Sequence, residues 1–414
     1  MIRKSLFCRA FVAVLVWAAA AAMAARAAAV EIKVVANGDV AAKSEEGRRV
    51  VVGPGVNQPD PHPGYYGFVG WDAPIRLRDG TLLVSFSTGY WHASPPTPLR
   101  MAPSILAEWK KLGMPTDVDA PRGGRAMLVR STDNGRTWSK PETLIDTPAD
   151  DRSPAIAELP SGVLACSLFT APGWADPVKS PELACRTGVV RSLDGGRTWE
   201  KEVRRLPSPF LSDATDGPPL VLRDGSVIVA AYGPPAPGKP DGIAVFRSTD
   251  EGQTWRLLST VTSDHEMSEM GLAQLPDGRL VMITRPEGDV LWSSDGGRTW
   301  TKPATLGIRM YEPSLTVLHD GTLVCLHGSC RVGGLRVIFS RDGGQTWLAP
   351  ASDRGFAVDR RVYGYGRCTE LADGSLLAVY IDTAGHRRED AQHESLFSRR
   401  FRVRPDNSGI DLLP

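Results

Sequence analysis

The residues able to do chemistry are few and lie far apart along the chain. Glu269 and Arg285 stand at the two ends of Ser268-Glu269-Met-Gly-Leu-Ala-Gln-Leu-Pro-Asp-Gly-Arg-Leu-Val-Met-Ile-Thr-Arg285, a stretch that folds back on itself at Asp277-Gly278 if it is a hairpin. Arg331 follows His327-Gly-Ser-Cys, and Tyr365 lies nine residues before Gly374. Further carboxylates occur in Trp71-Asp72-Ala73-Pro74 and in Pro115-Thr-Asp117-Val-Asp119-Ala-Pro121, and further cations at Arg152 and Arg367. A carboxylate can accept or deliver a proton, and an arginine fork matches an anionic carboxylate with two parallel hydrogen bonds. Other chemistries lack their residues. The chain has no His-Glu-x-x-His, no Cys-x-x-Cys, no Gly-Lys-Ser/Thr phosphate loop and no Gly-x-Ser-x-Gly elbow. No metal and no cofactor is expected.

Composition narrows the class. With 48 basic and 47 acidic residues and a net charge of +1, the chain lacks the concentrated cationic surface that nucleic-acid binding requires. Residues 1–29 read as a secretory signal peptide: Arg3, Lys4 and Arg9 precede an apolar run from Phe11 to Met23 and a small-residue zone at Ala27-Ala28-Ala29. No second long apolar run follows, so no transmembrane segment is expected once the signal is removed. The protein is then secreted or periplasmic. Five cysteines remain beyond the signal; Cys166 and Cys185 are the candidate disulfide pair, the alternative being that all five are small apolar core residues.

The elements that must position these groups follow from two interleaved repeats. Five octapeptides share Ser, Asp, Gly, Thr and Trp at fixed places: Ser131-Thr-Asp-Asn-Gly-Arg-Thr-Trp138, and those beginning at Ser192, Ser248, Ser293 and Ser340. Each follows an apolar run, as expected of a turn between two strands, with Ser and Asp bonding local backbone and Gly supplying a positive φ. A second repeat places Gly turns at Gly80, Gly162, Gly225, Gly278, Gly321 and Gly374, each followed by a strand-like run. Together they give six units of four antiparallel strands. The fold class is therefore all-β, a six-bladed β-propeller occupying residues 30–414 as one domain. The sixth unit has no octapeptide and should close with residues 394–403 and an N-terminal strand near 48–52. Alternating strand direction puts both repeated turns on one rim. Functional residues should then lie on the other rim, before an inner strand, after a second strand, or between second and third strands; the longest such loop is 90–125.

The octapeptides Ser-x-Asp-x-Gly-x-Thr-Trp resemble the Asp boxes of the sialidase (neuraminidase) superfamily, and the resemblance spans nearly the whole chain beyond the signal. It implies a glycoside hydrolase of exo-α-sialidase type with a glycan or glycoconjugate substrate, working as a monomer. The family's active site carries three arginines that grip the sugar carboxylate, a nucleophilic tyrosine assisted by a glutamate, and an aspartate acid/base. A tyrosine avoids the repulsion a carboxylate nucleophile would meet beside an acidic sugar. Matched position by position, the resemblance implies Tyr365 as nucleophile, Glu269 as its base, Arg285 and Arg331 as anion-binding residues, and Asp119, the better placed of the two loop aspartates, as acid/base.

The first unit departs from the pattern. Asp72 stands where the family has its first arginine, and the residue after Tyr365 is Gly366 rather than the usual Ser. Arg152 or Arg367 could supply a cation from elsewhere, and Asp72 is a further acid candidate. The alternatives are a glycosidase of the same build acting on a different sugar, with Asp72 as its marker, or a non-catalytic glycan-binding propeller.

Overall fold

The computed structural model describes residues 30–35, 47–97, 103–111, 116–117, 120–382 and 395–414. The segment read as a signal peptide lies outside these residues. The chain forms a six-bladed β-propeller. From the channel outward, blade 1 runs Phe68–Arg76, Leu82–Gly89, Arg125–Ser131 and Glu142–Ile145. Blade 2 runs Asp150–Glu158, Leu164–Ala171, Arg186–Ser192 and Arg204–Arg205, and blade 3 runs Leu220–Val221, Val227–Gly233, Gly242–Ser248 and Arg256–Val261. Blade 4 comprises Ser268–Gln274, Leu280–Arg285, Asp289–Ser293 and Ala304–Thr305; blade 5 comprises Met310–Val317, Leu323–Ser329, Leu335–Ser340 and Thr346–Ala349.

Blade 6 begins with Gly366–Glu370, Leu376–Ile381 and Leu396–Val403. Its outer edge is shared by two chain ends, Arg49–Val52 pairing with one half of Leu396–Val403 and Ile410–Leu413 with the other. The expected N-terminal closure is present, and the C-terminal strand is an addition the repeats did not announce. A further strand, Glu31–Val34, adds in parallel to the outer strand of blade 5. It is mostly exposed, so no alternating apolar pattern marks it.

Period-two alternation explains why each blade can be buried on both faces. In the second strand of blade 5, Val324 and Leu326 pack toward blade 6, whereas Leu323 and Cys325 pack toward blade 4. Apolar clusters of this kind fill all six interfaces between neighbouring blades. Cys166, Cys325 and Cys368 belong to them as small apolar residues, and all five described cysteines are unpaired thiols. The candidate pairing of Cys166 with Cys185 is thus corrected. Cys166 lies opposite Val190, five residues along the strand from Cys185, a separation of about 16 Å at ~3.3 Å per residue, beyond the ~7 Å reach of a disulfide.

The octapeptides form identical turns. In every one the Ser hydroxyl donates to the Asp carboxylate at 2.7–2.8 Å and accepts from the Gly N–H at 2.8–2.9 Å. That Gly has φ between +77° and +89° in all five, a conformation that side chains with a Cβ resist.

The inner strands are not regular. Register slips between Gly70 and Ala73, Arg152 and Ala155, Ser268 and Met270, and Tyr311 and Ser314 interrupt the inner strands of blades 1, 2, 4 and 5. Each bulge holds a non-glycine residue at positive φ: Trp71, Ser153, Glu269 and Glu312. Such backbone costs about 1–3 kcal/mol per residue and persists only where surrounding structure enforces it. Here the bulges re-aim consecutive side chains toward the central axis.

Candidate functional site

A cavity of about 370 Å³ opens at the end of the propeller axis. Its lining comes from the starts of inner strands, the ends of second strands and the loops that follow them, and no octapeptide residue takes part. At this cavity Glu269, on the blade 4 bulge, meets Arg285 at the end of the neighbouring strand and Tyr365 from the approach to blade 6. The hairpin register sets Ser268 opposite Arg285, so the two ends of the motif converge. The Tyr365 hydroxyl donates to Glu269 Oε1 at 2.9 Å, and Arg285 Nη1 lies 2.5 Å from that oxygen and 3.2 Å from the Tyr365 hydroxyl. Glu269 Oε2 accepts from the Glu312 N–H at 2.9 Å.

Burial, reinforced by the Glu269 charge, holds the Tyr365 phenol well above its usual value despite Arg285, so the phenol keeps its proton at rest. Burial opposes the charge on Arg285, but Glu269 outweighs it and the guanidinium stays charged. Tyr365 belongs to a cluster of three mutually stacked tyrosines, 5.4 Å from Tyr363 and 5.9 Å from Tyr311, which are 5.1 Å from each other, with Trp71 edge-on to Tyr365 at 6.3 Å. Such contacts restrict the ring to one orientation.

The remaining site expectations fare differently. Arg152 lines the cavity with its side chain only 1% exposed, packed by Phe68 and Trp71 and paired through Nε with Asp150 at 2.7 Å. Asp150 is a clasp: it also accepts from Ser94 N (2.5 Å), Gly124 N (3.1 Å) and Trp174 Nε1 (2.8 Å), tying the long blade 1 loop and the blade 2 loop to one carboxylate. Arg331 does not join the site, which corrects its expected role in anion binding. The connection carrying it is a tight turn closed by Ser329 N to Gly334 O at 3.2 Å, and from its tip the side chain, 69% exposed, points to Asp353 at 3.6 Å. Asp119 lies outside the described residues.

Asp72 does not line the cavity either; Trp71 does, and the next residue turns into the channel beneath. Arg367 is buried there too, 3.0 Å from Asp216 and 2.7 Å from Glu312. Blades 1, 3, 5 and 6 thus each send one ionisable residue into a plug of three acids and one cation. Burial pushes Asp72 up to about 8, with Arg367 opposing, and Asp216 up to about 6. Neither Asp72 oxygen has a hydrogen-bond partner among the described residues, in keeping with a neutral carboxyl. Sequence reasoning missed Asp216 and Glu312, although both stand just ahead of or within an inner strand, where the rim argument could have found them. Trp174, Tyr232 and His92, also in the lining, carried no repeat signal. Among the described residues no group of three or more His, Cys, Asp or Glu is arranged to hold a metal ion.

Comparison with known proteins agrees with this architecture. The family model for a BNR repeat-like domain matches residues 154–376, more than half of the chain, and a BNR/Asp-box repeat matches residues 129–140. The chain belongs to the sialidase-like BNR repeat family. Its curated relatives include a sialidase of Micromonospora viridifaciens, 27% identical over 237 residues that cover 49% of this chain and 35% of the relative. This BNR protein spans about a third to a half of the length of the curated sialidases it matches. Among solved structures, the leech intramolecular trans-sialidase complexed with 2,7-anhydro-Neu5Ac superposes with a TM-score of 0.62 at 12% identity, covering 86% of this chain and 70% of that one. The Penicillium chrysogenum α-L-arabinanase complexed with arabinobiose superposes with a TM-score of 0.54 at 14% identity, covering 85% and 97%. These likenesses establish the propeller for the BNR protein. Among its described residues no helix is long and apolar enough to cross a membrane.

Proposed function

We propose that this BNR protein is a secreted glycoside hydrolase that removes terminal sugars with retention, through a covalent tyrosyl-sugar intermediate. The observation that carries the reading is the 2.9 Å hydrogen bond from Tyr365 to Glu269 at a sugar-sized cavity, with Arg285 against both. As Tyr365 Oη attacks the anomeric carbon, its proton passes to Glu269, while the bond from that carbon to the leaving oxygen breaks and the oxygen takes a proton from an acid. Arg285 steadies the charge that develops on the phenol oxygen. Water then attacks the anomeric carbon as the bond from that carbon to Tyr365 Oη breaks; one water proton passes to the acid group, the other stays on the new sugar hydroxyl, and Glu269 returns to Tyr365 the proton it took.

Two readings of the sugar remain. In the first, Arg285 and Arg152 hold the carboxylate of sialic acid or a related acidic sugar. A different sugar is favoured by the charge balance: Arg285 is paired with Glu269 and Arg152 with Asp150, while Asp213, Asp216 and Asp241 add carboxylates to the wall. A pocket whose cations are already matched has little attraction left for an anion. The arabinanase, named for a substrate without a carboxylate, shares the propeller. The deciding assay offers the purified protein fluorogenic sialosides, arabinofuranosides, xylosides and galactosides. Turnover of sialosides alone supports the acidic-sugar reading, and turnover of the others the second. Failure on the whole panel, with binding to a glycan array intact, would leave a non-catalytic glycan-binding propeller.

A further inference from the structure

The cavity wall carries four described carboxylates, and three are committed. Glu269 accepts from Tyr365, Arg285 and the Glu312 N–H. Asp213 accepts from Thr187 N at 2.7 Å and lies 3.4 Å from Arg186, and Asp216 is locked to Arg367 in the plug with 3% of its surface exposed. The fourth, Asp241, is different. It is only half-buried, sits immediately before the third strand of blade 3, and has no cationic partner within 4 Å among the described residues. Its main chain is pinned beside the nucleophile's base, because the Asp241 carbonyl accepts from Met267 N at 3.0 Å, two residues ahead of Glu269.

We propose that Asp241 is the group that protonates the leaving glycosidic oxygen and then deprotonates the attacking water. The assignment rests on the glycosidase reading of Tyr365 and Glu269. In the first step the bond from the anomeric carbon to the leaving oxygen breaks as that carbon bonds to Tyr365 Oη, and the Asp241 proton moves to the departing oxygen. In the second, water bonds to the anomeric carbon as the bond to Tyr365 Oη breaks, Asp241 as carboxylate takes a proton from that water, and its starting state is restored. A proton donor must be neutral when substrate binds, and burial together with the nearby Glu266 raises the Asp241 carboxyl above its ordinary value. The absence of a neighbouring cation among the described residues acts in the same direction.

The test uses Asp241→Asn in the full chain, with 4-nitrophenyl and methyl glycosides of the panel sugar that the wild type cleaves. The nitrophenolate leaves with little help from an acid; methoxide does not. The variant should lose about 10²–10⁴-fold in kcat/KM on the methyl glycoside, far less on the nitrophenyl glycoside, and azide should restore nitrophenyl turnover while yielding a glycosyl azide. Equal losses on both substrates without azide rescue, or wild-type rates on both, overturn the assignment. So does this leaving-group signature in Asp119→Asn and its absence in Asp241→Asn. Should Asp241→Asn fail to fold, Asp241→Ser carries the same readouts. A wild type inactive on the whole panel overturns the glycosidase reading itself, whereas an active wild type with a normal variant overturns only the role of Asp241.

Discussion

Tyr365 and Glu269, 96 residues apart in sequence and on different blades, share a proton contact of 2.9 Å. In the proposed mechanism neither residue acts alone: burial holds the phenol protonated, so a nucleophilic Tyr365 would need an adjacent base at the moment of attack. Tyr365→Phe keeps the ring and its stacking on Tyr363 while removing the reacting oxygen. Its expected phenotype is an unchanged thermal midpoint with turnover reduced at least as far as in Glu269→Gln, for which a loss of about 10²–10⁴-fold in kcat is expected. Steady-state rates on the cleaved panel sugar, with circular dichroism as the control, check this. Undiminished turnover in Tyr365→Phe would remove the tyrosyl-sugar mechanism.

Asp150 acts at one remove. It gathers the Ser94 and Gly124 amides, the Trp174 indole and the Arg152 guanidinium on one buried carboxylate. In Asp150→Ala the charge on Arg152 is left buried and uncompensated, a change that typically costs about 3–5 kcal/mol. The same variant loosens two loops over the cavity without touching Tyr365 or Glu269. We therefore expect a lower urea midpoint and a raised KM, with kcat less affected. A purely structural role would move the midpoint and leave KM where it was.

The channel plug predicts how stability depends on pH. Asp72 is raised from an ordinary carboxyl value near 4 to about 8 by burial. The folded state therefore holds a proton that the unfolded chain releases near pH 4. The stability this confers is complete below about pH 4 and is lost progressively as the pH climbs to about 8. Asp151, pushed up to about 7 by burial, and Asp216 slope the same way. Asp72→Asn, neutral at every pH, should flatten this fall and melt above the wild type at pH 8. Thermal midpoints measured from pH 4 to 8 test it; parallel curves for the two proteins would mean that Asp72 does not titrate in this window.

How much of this could be read in the sequence depended on whether the signal was local. The octapeptides and Gly turns are local hydrogen-bonding units, so they announced the blades and, through strand alternation, the rim on which Glu269, Arg285 and Tyr365 meet. Arg331 misled because its place in the repeat says nothing about the direction of a side chain at the tip of a tight turn. Asp72 misled because a two-residue bulge sends Trp71 and Asp72 to different places, and no residue type marks that bulge in advance. The Asp150 clasp and the setting of Asp241 arise from contacts between blades. Spacing along one strand cannot encode them.

Gly366 shows how a departure from the resemblance becomes intelligible once neighbours are known. A Cβ at this position would meet Tyr380 Cβ at 2.5 Å and the Val379 carbonyl oxygen at 2.5 Å. Tyr380 is fully buried and fixed by a hydrogen bond from its hydroxyl to Asp359 at 3.0 Å, so it cannot yield. Gly366→Ser, which restores the residue usual in sialidases, should therefore push the inner strand of blade 6 away from its partner. Overpacking of this kind costs about 1–3 kcal/mol. Because Tyr365 is the preceding residue, the displacement should also lengthen its contact with Glu269. The expected outcome is a lowered thermal midpoint together with a kcat loss larger than any change in KM. If Gly366→Ser instead retains full turnover and stability, the close approach to Tyr380 is not what requires glycine here.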